Sequence, residues 1–264
     1  MATVSTFKKV PTFSIDEIRL AYLCALHLWY GREFDTGKIA ECSDEELLIE
    51  FSTRFDATRA NRNTNHQIPE FLIRQLIRVA RLKALYRSTS KINFPKGIRT
   101  IRNSSVKTYD KWLANPNSLT PTGHATKAIL DLGLGFVTQP RGVNAPKNYR
   151  VPLASRVLFF AAPEMMIFNF SNGLGKAMNF QSRPQAAIPH FNIELYDGLQ
   201  RNDALLSRCT MPPPQLLSQE SWNRVKNSDW WKRRVLDIAL LLHFNVAHAH
   251  HDLVRLARSG YPQI

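Results

Sequence analysis

The chain reads as mainly α, a compact multi-helix globular protein, and three observations predict this. Apolar residues recur at helical spacing in several long segments, clean two-residue alternation is nearly absent, and helix-start chemistry precedes the periodic runs. With 264 residues, 44% hydrophobic content and only 11 Gly and 15 Pro, the composition is that of a folded chain with a substantial core.

Ser14, with Asp16 and Glu17 behind it, opens the first helix, placing acids where the helix dipole favours them. The segment IDEIRLAYLCALHLWYG then carries the periodic apolar set up to Gly31. Ser43-Asp44-Glu45-Glu46 fits a capping box and leads into LLIEFSTRF. TRANRNTNHQ is a polar loop, and PEFLIRQLIRVARLKALYR follows, with Pro69 suited to a first helical turn. VKTYDKWLANP predicts a short helix stopped by Pro116, and TPTGHATKAILDLGLGF another, opened by Thr and Pro and ended by Gly. VTQPRGVNAPKNYRVP, with its prolines, is a loop. RPQAAIPHFNIELYDGLQRN gives a turn and a helix, RCTMPPPQLLS a loop, and residues 218–260 two further helices ending at Gly260. These elements suggest a helical region over 1–115 containing a basic helix, and a core with C-terminal helices over 116–264, together one compact unit.

The charge is far from ordinary. Thirty-five Lys and Arg against 21 Asp and Glu give a formal +14, which calls for a polyanionic partner. From Phe71 to Tyr109 there is no Asp or Glu, while ten Lys or Arg occur. A solvated face normally mixes both signs. Leu72, Ile73, Leu76, Ile77, Ala80 and Leu85 form an apolar face, and Arg74, Arg78 and Arg81, at i, i+4 and i+7, sit on another. These arginines are expected to contact DNA phosphates, together with Arg87, Lys91, Lys96, Arg99, Arg102 and Lys107. A membrane surface is the weaker partner, because the helix's other face is needed for the core.

Other chemistries are excluded or lack a signature. Cys24, Cys42 and Cys209 are widely separated and form no CxxC pair, which argues against a disulfide scaffold or zinc site and fits a cytoplasmic setting. The start, MATVSTFKKVPTF, has no apolar h-region, so no secretory signal is expected. The longest apolar stretch, Val235 to Ala249, is too short and polar to span a bilayer. His248, His250 and His251 with Asp252 lack HExxH spacing and read as a surface cluster near a helix end, so no metal or other cofactor is expected. GLGF at 133–136 is too short for a dinucleotide fingerprint. In DWWKRRVLD, Trp230 and Trp231 stand beside three cations; base stacking is conceivable, but packing into the core is the commoner fate of such a pair.

One segment carries a pattern. RVPLASRVLFFAAPEMMIFNFSNGLG (150–175) reads as a loop, small residues, a cation at Arg156 opening an apolar helix, Pro163, a short apolar extension ending at Asn169, then a further helix. Over residues 145–180 this resembles the helix-hairpin-helix DNA glycosylases, especially the branch with the 8-oxoguanine glycosylase fold. The resemblance implies a hairpin whose backbone N–H groups hold a DNA phosphate and a target base flipped from the stack. In that family a Lys at the helix start forms a Schiff base in bifunctional members, and an essential Asp supports charge at the sugar. Here Arg156 stands at the Lys position and Asn169 at the Asp position. Arg stays protonated and does not serve as a Schiff-base amine, and Asn carries no charge, though it can orient water or sugar.

The resemblance makes Asn169, Arg156, Glu164 and Asp197 the candidate catalytic residues, with Asp131 a further carboxylate and Ser155 a phosphate contact. The implied function is excision of a damaged or modified base from double-stranded DNA, including a role against foreign DNA. The alternatives are a non-catalytic DNA-binding protein retaining the fold, and a module whose basic face binds RNA or an acidic protein.

Overall fold

The computed structural model describes residues 7–30, 120–135, 150–161, 165–180, 184–209, 226, 228–246 and 254–255. The described residues are mainly helical and contain no strand, so the predicted all-α class holds. Among the described residues six helices follow in order: α1 (Ile15–Tyr30), α2 (Pro121–Gly135), α3 (Val151–Ala161), α4 (Asn172–Ala177), α5 (Pro184–Leu206) and α6 (Asp229–His243). No helix among the described residues is long and apolar enough to cross a membrane. The Ser43 capping box, the basic helix beginning at Pro69, the VKTYDKWLANP segment and the His248–His251 cluster lie outside the described residues.

The chain packs as two units. The first contains residues 7–30, 171–180, 193–209 and 226–255 of those described. Its start is a complete capping box: Ser14 N donates to Glu17 Oε2 at 2.8 Å, and Glu17 N donates to Ser14 Oγ at 3.2 Å. The same backbone bond holds the Glu17 carboxyl below its usual range. α1 buries Ile18, Ala21, Tyr22, Cys24, Ala25 and Leu26 against α6. Tyr22 meets Trp231 edge-on, while Glu17 meets His243 at the far end of α6, so the two helices run in opposite directions. Full burial of a side chain such as Ile18 or Leu26 contributes about 1.5–3 kcal/mol.

α6 is enclosed on nearly all sides. Ser228 caps it through Trp231 N, and both Trp230 and Trp231 lie in the core, with Trp231 Nε1 donating to Cys209 O at 2.8 Å. The paired tryptophans are therefore packing residues, and neither is open to a base. The neighbouring cations are structural too. Arg233 is buried, Arg234 pairs with buried Asp237 at 3.2 Å, and Lys232 reaches Asp203 at 2.6 Å.

Residues 8–13 are clasped by α5. Val10 N donates to Glu194 Oε1, Phe13 N to Asn202 Oδ1, and Arg201 donates to Val10 O. Gly198 permits this approach, because any Cβ there would collide with the Val10 side chain. α5 continues through Pro189 without breaking. A proline removes one helical hydrogen bond and crowds the preceding turn. The buried row Ala187, Ile188, Phe191, Leu195 and Leu199 holds the helix together across that defect.

The second unit contains residues 120–135, 150–170 and 184–192 of those described. Thr120 Oγ1 accepts from Gly123 N, so α2 opens with a threonine cap followed by Pro121 in the first turn. α2 packs on α3 through Ala125, Ala128, Ile129 and Leu132 on one side and Val151, Ala154 and Leu158 on the other. Gly133 lies where α3 begins: Arg150 N donates to Gly133 O, and a Cβ on Gly133 would sit 3.4 Å from the Arg150 backbone. Gly133 of GLGF thus serves helix packing.

Candidate functional site

The residues singled out by the hairpin pattern lie on α3 and on the extension that follows it. α3 starts at Val151, not at Arg156 as the apolar run suggested. Pro152 explains the difference. A proline in the first helical turn loses no bond, since those N–H groups have no helical acceptor. Arg156 therefore sits mid-helix and half-buried, away from the helix start that the resemblance implies.

After the helix, Met165 to Phe170 runs without regular structure, with Met165, Ile167, Phe168 and Phe170 buried. Asn169 lies between two buried phenylalanines and is itself only 7% exposed. Phe170 packs edge-on against Phe191, with ring centroids 4.9 Å apart.

Ser155 joins the helix to the extension. Its hydroxyl lies 3.2 Å from both Pro152 O and Phe170 O, and it accepts from Phe170 N at 3.1 Å. Ser155 is fully buried, so its oxygen is committed within the chain. One side chain thus ties the residue before Arg156 to the residue after Asn169. Ser155, expected as a phosphate contact, instead bonds within the chain. Its signal was available: Ser155 falls in the apolar stripe Val151, Ala154, Leu158, where a polar residue needs a buried partner.

The chain passes to the first unit after Phe170, and Ser171 caps α4 by accepting from Leu174 N. The polar residue at that helix start is therefore Ser171, two positions beyond Asn169. Among the candidate carboxylates, Asp131 pairs with Lys127 on the surface of α2 at 3.3 Å. Asp197 is exposed on α5 in the part belonging to the first unit, whereas Ser155, Arg156 and Asn169 belong to the second. Glu164 lies outside the described residues, as do Arg74, Arg78, Arg81, Arg87, Lys91, Lys96, Arg99, Arg102 and Lys107.

Two polar residues of the second unit carry buried atoms without partners, and no local sequence signal marks them. His124 on α2 is 4% exposed, and neither ring nitrogen has a hydrogen-bond partner. Burial pushes its pKa below the ordinary 6.5, so the neutral imidazole is favoured. Asn192 is fully buried; its amide donates to Thr126 Oγ1 at 2.9 Å, while its carbonyl oxygen has no partner. In the first unit, burial raises the Cys209 thiol to about 11, which makes it a poor nucleophile at neutral pH.

No family model matches the chain, and no curated protein or solved structure matches it either.

Proposed function

We propose that the chain binds double-stranded DNA and acts as a glycosylase-like enzyme on a damaged or modified base flipped out of the duplex. The formal charge of +14 carries the DNA part, together with the acid-free run from Phe71 to Tyr109. Each phosphate neutralised by Lys or Arg releases condensed counterions, so such a run favours duplex DNA whatever its sequence. The order of α3, extension and capped helix, with Asn169 near its end, supports the hairpin part of the reading. In this reading Asn169 orients water or the sugar by hydrogen bonds, and Arg156 supplies a fixed positive charge.

Binding without excision is the second reading. It is favoured by Asn169 being uncharged and nearly enclosed, and by Arg156 lying mid-helix. Incubation with duplexes bearing defined modified bases, followed by alkali, separates the two. Strand scission that is lost in Asn169→Ala with duplex affinity retained supports excision. Absence of scission across a broad panel, with salt-sensitive binding intact, leaves binding alone. Replacing Arg74, Arg78 and Arg81 together by Ala should flatten the slope of log K against log salt by about 2.7, three times the ~0.9 per phosphate. An unchanged slope would remove that helix from the interface.

A further inference from the structure

We propose that Asn172 and Gly173 form a self-modifying site, in which the Gly173 backbone nitrogen closes on the Asn172 side-chain amide and water opens the ring to aspartate or isoaspartate. The inference stands apart from the DNA-binding reading and concerns the first unit alone.

Asn172-Gly173 is the one Asn-Gly pair in the chain, and it forms the first two residues of α4. Both residues are exposed. Ser171 accepts from groups further along, with Oγ taking Leu174 N and the carbonyl taking Gly175 N. Among the described residues no hydrogen bond engages Gly173 N or the Asn172 side chain. An N–H in the first turn of a helix has no acceptor within it, so Gly173 N gives up no bond in attacking. Attack also requires the Asn172 backbone to rotate out of the helical conformation. At the first residue of a six-residue helix that rotation undoes little, because so short a helix has almost no cooperative hold of its own.

Glycine matters twice here. A Cβ at position 173 would lie 2.6 Å from Val246 Cγ1, so α4 approaches the chain beyond α6 only with glycine there. The same missing side chain leaves the nitrogen unshielded. Asp197-Gly198 is the contrast. It joins an exposed acid to a glycine, but in the interior of α5, where Gly198 N belongs to the helical ladder.

In the reaction Gly173 N gives up its proton and bonds to Asn172 Cγ. The bond from Cγ to the side-chain nitrogen breaks, and ammonia leaves with that proton. Water then opens the five-membered imide. Cleavage at Cγ gives aspartate, whereas cleavage at the former backbone carbonyl gives isoaspartate, whose main chain runs through Cβ and Cγ. Isoaspartate thus lengthens the chain by a methylene where Gly173 meets Val246.

The test incubates the full chain in mildly alkaline buffer, folded or in urea. The peptide spanning 172–173 is followed by mass spectrometry and by an endoprotease that cuts before aspartate but not before isoaspartate. The expected result is a gain of one mass unit at Asn172, with both product forms, and a rate in the folded chain within about ten-fold of that in urea. Asn172→Gln should show no gain at that position, because the longer side chain closes its ring far more slowly. Conversion confined to urea, or absent at Asn172, overturns the proposal. The isoaspartate fraction, separated chromatographically, should unfold at a lower temperature than Asn172→Asp, which carries the same charge without the added backbone atom. Equal midpoints would overturn the assigned effect on the seating of α4.

Discussion

The two units handle their buried polar groups differently. In the first, polar side chains reach between distant segments, as Glu194, Arg201 and Asn202 clasp residues 10–13, while within α6 Arg234 pairs with Asp237 three positions on and its Nε makes no hydrogen bond. In the second, the contact between α2 and α3 is apolar, and polar groups are exceptions within it. Ser155 is satisfied by the backbone of Phe170, while both nitrogens of His124 and the carbonyl oxygen of Asn192 are not met. Buried polar atoms usually find partners, because each one left without costs about 1–3 kcal/mol. The first unit thus uses polar bonds to specify which segments meet. The second keeps polar atoms of His124 and Asn192 buried without partners.

The largest effect expected to break this contrast is in the first unit. Asp237→Ala removes a buried carboxylate that pairs with Arg234 and should lower the unfolding free energy by about 3–5 kcal/mol in urea titration. A loss under about 1 kcal/mol would mean that solvent reaches the pair, and that the unit depends little on it.

In the second unit, Ser155→Ala strips the Phe170 N–H and carbonyl of their side-chain partner. The expected cost is about 1–3 kcal/mol. Because Ser155 fixes the extension that carries Asn169, the proposed glycosylase function requires that any excision slow in this variant while blunt-duplex affinity stays unchanged. Excision at the wild-type rate would show that the link is structural only.

The smallest effect concerns His124 and pH. Its folded-state pKa lies below the ordinary 6.5, so on acidification the unfolded chain takes the proton first. His124 therefore leaves stability intact above that value and erodes it as pH falls below it, down to the folded-state pKa. His124→Leu should remove this part of the acid slope, and at pH well above 6.5 should not lower stability, since it takes away two buried nitrogens that have no partner. An unaltered slope between wild type and variant would assign the acid sensitivity to other groups.

Much of the local structure was legible. Ser14 and Glu17 announced the start of α1, Thr120 and Pro121 that of α2, and apolar periodicity gave both helices their length. These signals act within three or four residues, the range of a helical turn. The start of α3 was misplaced because Val151 and Pro152 look like the end of a proline-rich loop. Nothing local shows that the proline opens a helix packed against Gly133. In DWWKRRVLD the commoner fate of such a pair holds, since Trp230 and Trp231 are in the core, but nothing local shows that Arg233 and Arg234 are interior as well.

Sequence alone determined the helical class, several helix boundaries and the positive charge, since each follows from composition or from contacts a turn apart. Only the tertiary structure decided which polar residues are buried. It enclosed Asn169, committed Ser155 to Phe170 and left His124 without a partner. The reason is physical. Burial is set by what the rest of the chain places over a residue, and here the covering groups lie from fifteen to nearly two hundred positions away.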